Sequence, residues 1–118
     1  MLKDKALENL AAGESLLAAG RINAAASRYY YAMYQAAVHS LTTSGKQPGA
    51  FRSGAVEWDH SMVENNAGML RRSYEDRALY GFLRRTRVKA DYKADDVDAA
   101  DLRPLCEDIA HFVEEPAR

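Results

Sequence analysis

Leu2, Ala6, Leu10, Gly13 and Leu17 recur every three or four positions with polar residues between them, the spacing of one buried face of an α-helix about four turns long. Gly20 follows where a helix end favours a left-handed residue. Asn23 is suited to cap a second helix, and from Ala24 to about Leu41 the chain contains neither Gly nor Pro. A short link between two long helices predicts an antiparallel hairpin. In the second helix Ala26, Tyr30, Met33, Ala37 and Leu41 form one apolar stripe, and Tyr29, Tyr31 and Tyr34 extend it well around the circumference. One neighbouring helix cannot cover so wide a face. The second helix is therefore expected to be central, packed on its own chain and on a second copy through Tyr30, Tyr31 and Tyr34, with Ala25, Ala32 and Ala36 allowing close approach.

From Thr42 to Trp58 the pattern gives way to Ser44, Gly45, Pro48, Gly49 and Gly54, the composition of a loop. Asp59 is placed to cap a third helix over residues 60–72, and a fourth is expected from about Asp76. Pro104 fits only the first turn of a helix, which points to Asp101 as the cap of the last one. Its buried face is read as Leu102, Leu105, Ile109, Phe112 and Val113, and Pro116 ends it. No segment alternates as a strand does. The expectation is an all-α, up-and-down bundle of about five helices in one domain over residues 1–118, organised on a long central hairpin.

Charge alters the picture along the chain more than in total. The net charge is −1, but residues 71–93 hold eight Lys or Arg against three acids, and residues 94–118 hold two against eight. If the acidic end folds over the basic segment the asymmetry is internal neutralisation; if not, the basic face is open to an anion. The first ten residues contain Lys3, Asp4, Lys5 and Glu8, unlike a signal peptide, and no stretch is long and apolar enough to span a bilayer, so a cytoplasmic protein with no membrane partner is expected. The single cysteine, Cys106, has no partner for a disulfide and is read as a small core residue.

Several chemistries are disfavoured by spacing. His39, His60 and His111 are too far apart in sequence to form a helical metal pair, and no metal or cofactor is expected. Gly45, Gly49 and Gly54 lie near Lys46 but lack the Gly-Lys-Ser/Thr ending of a phosphate loop. Tyr29, Tyr30 and Tyr31 are of a type that stacks bases, but core packing suits a wide-faced helix better.

Two stretches resemble the HEPN superfamily, particularly its small single-domain members. One is Ser27-Arg28-x-Tyr30-Tyr31-Ala32-Met33-Tyr34-x-Ala36-Ala37, following Leu17 and Gly20 at the hairpin; the other is Arg87-Val88-Lys89-Ala90-Asp91-Tyr92, similar to an Arg-x-x-Ala-Asp-Tyr signature, with His60 upstream where such members often carry a His. The resemblance implies a helical bundle, usually a two-fold homodimer, often encoded beside a minimal nucleotidyltransferase as a toxin-antitoxin pair. Many HEPN proteins are metal-independent ribonucleases with an Arg four to six residues before a His. This chain departs from that motif: aligning Tyr92 with the Tyr that often follows the His puts Ala90 at the His position and Arg85 at the Arg, and no His follows the arginines until His111.

Cleavage through a 2′-hydroxyl requires a group that moves a proton near neutral pH, which an imidazole does and a methyl group does not. The resemblance thus implies Arg87, Asp91 and Tyr92 as an incomplete catalytic set. Helical spacing puts Arg85, Lys89 and Tyr92 on one face and Arg87 with Asp91 on another, where the four-residue interval suits an ion pair. Arg84, Arg85 and Lys89 are the residues expected to bind nucleotide or RNA phosphates. The primary reading is a HEPN-type homodimer that engages such phosphates, or a nucleotidyltransferase partner, without robust catalysis. One alternative is a metal-independent ribonuclease toxin using Arg85 or Arg87 with Asp91 and Tyr92; a second is a non-enzymatic helical interaction module.

Overall fold

The computed structural model describes residues 2–43, 74–92 and 96–114, those at 74–77 by their backbone alone. These residues form α1 (Leu2–Ala18), α2 (Ile22–Thr43), α3 (Tyr74–Tyr92), the single turn α4 (Ala99–Leu102), a 3₁₀ turn (Arg103–Leu105) and α5 (Cys106–Glu114). No strand occurs among the described residues, and no described helix is long and apolar enough to cross a membrane. The helix expected over residues 60–72, with its cap Asp59, lies outside the described residues, as does His60.

α1 buries Ala6, Leu10, Gly13 and Leu17, the stripe its spacing predicts. It ends as its glycine requires. Gly20 adopts φ 78°, its N–H donates to the Leu17 carbonyl at 3.0 Å, and the Arg21 N–H donates to the Leu16 carbonyl at 2.9 Å. This paired closure satisfies two carbonyls that the helix would otherwise leave open and reverses the chain within three residues. The hairpin is tight: a methyl group at Gly13 would stand 3.3 Å from the Tyr29 ring.

α2 is the central element, packed against α1, α3 and α5. Half of its residues are buried, from Ala25 to Leu41, and the small ones, Ala25, Ala26, Ala32, Ala36 and Ala37, let the neighbouring helices approach. α5 buries Ile109, Phe112 and Val113 against this core. The Lys3 ammonium donates to the Val113 carbonyl, tying the start of α1 to the last turn of α5.

Two caps differ from expectation. Asn23 lies inside α2 rather than at its cap; its side-chain carbonyl accepts from the Val97 N–H at 2.8 Å and its amide donates to the Asp96 carboxylate at 3.0 Å. A partner over seventy residues away has outcompeted the local capping role. The last helical segment is capped by Asp98, not Asp101: Asp98 has extended backbone angles and accepts from the Ala100 N–H at 2.9 Å. Pro104 does occupy a first turn, but that of the 3₁₀ segment, which places the start one turn earlier.

Candidate functional site

The crossing of α2 and α3 gathers most of the polar side chains singled out above. α2 supplies Ser27, Tyr30, Tyr31 and Tyr34 at intervals of three and four, and α3 supplies Tyr80, Leu83, Arg84, Arg87 and Asp91 at the same intervals, so each helix presents one continuous face to the other. At the bottom of the crossing Tyr30 and Tyr80 are fully buried with their hydroxyls 3.4 Å apart. The Tyr30 ring packs on Tyr31, Tyr34 and Tyr80 at centroid separations of 5.3, 6.2 and 5.6 Å. Burial pushes the Tyr30 hydroxyl up to about 12, although its hydrogen bond to Tyr80 and the positive charges of Arg84 and Arg87 oppose the rise. Burial raises Tyr80 further still, helped by the neighbouring Tyr30.

Arg87 lies above this pair with its side chain only 12% exposed. Its guanidinium carbon is 5.2 Å from the Tyr30 ring centre and 5.6 Å from those of Tyr31 and Tyr92. Nη1 donates to the Tyr31 hydroxyl at 3.3 Å and stands 3.7 Å from an Asp91 oxygen, which also accepts from the Ser27 hydroxyl at 3.2 Å. The buried Nε has no hydrogen-bond partner. Arg87, Asp91 and Tyr92, the three residues of the incomplete motif, are thus brought together, and the Arg87–Asp91 pairing follows their four-residue spacing. Neither His39 nor His111 contributes to these contacts. What the cluster offers chemically is a cation held between π-faces and a carboxylate, with phenols whose buried members ionise far above neutral pH.

Tyr92 departs from its expected place. Helical spacing puts it with Arg85 and Lys89, but its ring, 72% exposed, reaches back to the Arg87 guanidinium. The cation draws the ring across. Tyr30 is the second correction. It was expected at a dimer interface, yet it has no exposed surface in its own chain, so it has none to offer a second copy. Tyr31 and Tyr34 are half-buried.

Arg84 is half-buried and faces the cluster, close enough to Tyr30 and Tyr80 for its charge to favour their ionised forms. Arg85 and Lys89 are exposed and point away from the cluster. They line a small pocket of about 190 Å³ whose other wall is formed by Val97, Asp98, Asp101 and Leu102, with Phe82 and Thr86 between. Two acids of the C-terminal part, Asp98 and Asp101, thus share a pocket with two cations of the basic segment. Sequence reasoning gave no role to Ser27, Tyr80 or Asp98 and read Asp101 only as a helix cap; for the first two, the repeat of polar residues at intervals of three and four on both helices was the available signal.

No family model, curated protein or solved structure compared with this chain matches it significantly.

Proposed function

We propose that this is a HEPN-like helical domain of the cytoplasm, working as a homodimer, whose α3 binds the phosphates of RNA or a nucleotide without robust catalysis. A minimal nucleotidyltransferase partner belongs to the same reading through the HEPN resemblance of residues 27–37 and 87–92. The observation that carries the proposal is the contrast within α3. Arg87 is enclosed by Tyr30, Tyr31, Tyr92 and Asp91, while Arg85 and Lys89, on the other face, are exposed. An arginine held in that way fixes α3 on α2, and its Asp91 partner occupies the position a phosphate would need. Two exposed cations one helical turn apart match successive phosphates along a strand. Among the described residues no imidazole stands in the cluster to move a proton, so binding without cleavage is the chemistry these groups support.

The test is titration of a fluorescein-labelled oligouridylate by anisotropy across a range of salt concentrations. Replacing Arg85 and Lys89 by Ala weakens binding and makes the slope of log affinity against log salt shallower by about 1.4, the single-strand value for two lost phosphate contacts. Binding that ignores the double substitution, or no binding at low salt, refutes the phosphate site. Metal-independent cleavage of the same RNA that is lost in Arg87→Lys would promote the ribonuclease reading instead.

A further inference from the structure

The pocket that exposes Arg85 and Lys89 also faces them with two carboxylates, Asp98 and Asp101. That arrangement is built rather than incidental. Asp98 is the N-cap of α4, held by the Ala100 N–H at 2.9 Å, and Asp101 lies in the first turn of the same element. The element is pinned on both sides of the acids: Val97 and Leu102 are buried in the core. The Asn23 side chain fixes the preceding segment through the Val97 N–H and the Asp96 carboxylate. The two acids cannot swing aside as a loose tail would.

Among the described residues no direct ion pair joins them to Arg85 or Lys89, so the opposed charges line the same pocket of about 190 Å³ rather than cancelling in contact. A phosphate seated on Arg85 and Lys89 enters that space and meets both carboxylates. Within a pocket of about 190 Å³ their repulsion acts inside the screening length of about 8 Å at physiological salt.

We infer that Asp98 and Asp101 are a built-in anionic competitor that holds down phosphate binding at the Arg85/Lys89 face, an autoinhibitory contact that neutralisation of the acid pair relieves. The inference rests on the phosphate-binding reading of that face. Its consequence is that a basic segment or multivalent cation docking against α4 raises the affinity of the domain for a phosphate ligand without touching the ligand.

The experiment uses the full chain and the labelled oligouridylate. Asp98→Asn with Asp101→Asn removes both charges and keeps an N-cap-competent side chain at 98, so the fold is retained and a thermal melt checks it. The double variant binds about three- to tenfold tighter than wild type at low salt, a gain that shrinks as salt rises. The gain vanishes when Arg85→Ala and Lys89→Ala are added. Asp4→Asn with Glu8→Gln on α1 makes the same change in net charge and leaves affinity within about twofold. If wild type binds and Asp98→Asn/Asp101→Asn binds no more tightly, the competitor is refuted and the phosphate site stands. An equal gain in the α1 variant refutes it too, because net charge is then sufficient. If wild type does not bind at low salt, the phosphate reading falls and the inference with it.

Discussion

Replacing Arg87 tests whether the centre of the α2–α3 crossing is structural. In Arg87→Ala the guanidinium is lost from three tyrosine faces, at 5.2 and twice 5.6 Å. Contacts of this kind are worth about 0.5–1 kcal/mol when exposed and about 2 when desolvated. Only Tyr30 is fully buried, and the three share one cation, so their joint contribution is about 2–3 kcal/mol. The ion pair adds little, because it is 3.7 Å long and Asp91 is 32% exposed; a pair of that kind contributes roughly 0–1 kcal/mol. Against these stands the partnerless Nε, whose burial costs about 1–3 kcal/mol and is relieved by the substitution. The space vacated between the rings adds a packing loss of similar size. The net destabilisation is about 2–3 kcal/mol. Urea unfolding followed by far-ultraviolet circular dichroism, with a slope of about 1.5 kcal/mol/M for a chain of this size, turns that into a midpoint lowered by about 1.5 M. Arg87→Met keeps the volume and drops both the charge and the orphaned donor, and should lose less than half as much. A loss below about 0.5 kcal/mol in Arg87→Ala at unchanged slope would show that the ring contacts do not hold the helices together.

Two further outcomes follow from the same packing. Tyr30 rises to about 12 on burial and Tyr80 higher, so the folded state keeps protons that the unfolded chain releases near 10. The stability these groups contribute is complete below pH 10 and is lost as pH rises toward 12 and beyond, because deprotonation then favours the unfolded chain. Absorbance at 295 nm should show tyrosines that ionise only together with the loss of helical signal; full ionisation near pH 10 with the helices intact would contradict their burial. At the hairpin, Gly20→Ala should destabilise by about 1 kcal/mol through its positive φ alone, since nothing lies within 4 Å of the added methyl group, and Gly20→Asn should cost less. An unchanged urea midpoint in Gly20→Ala would refute the strained turn.

What could be read in advance is unevenly distributed, for a physical reason. The stripe of α1, the turn at Gly20 and the buried face of α5 depend on local periodicity and backbone sterics, which neighbouring residues in the chain determine. The breadth of the apolar face on α2 announced several partners, and three helices cover it. Asn23 was misplaced because capping is a local preference, and a buried N–H from Val97 offered its side chain a stronger use. The start of the last segment was set one turn late because Pro104 marks a first turn without saying of which helix. In the candidate site the Arg87–Asp91 pair was legible from spacing. The position of the Tyr92 ring was not, since periodicity locates a Cβ and not the end of a long side chain. Nor could spacing reveal that Asp98 and Asp101 stand opposite Arg85 and Lys89, a juxtaposition made by the path of the chain.

The closure at Gly20 also orders events in time. α1 and α2 are joined by three residues and meet over most of their length, so their contacts can form as soon as the turn closes, on the microsecond scale of local helical structure. α3 follows α2 only after residues 44–73, and its contacts with Tyr30 and Tyr31 wait for a much larger loop to close. The hairpin then belongs to the early part of the folding reaction and the Arg87 crossing to the late part. A weakened turn at Gly20 would slow folding, whereas a weakened Arg87 cluster would leave the folding rate nearly unchanged and shorten the lifetime of the native state.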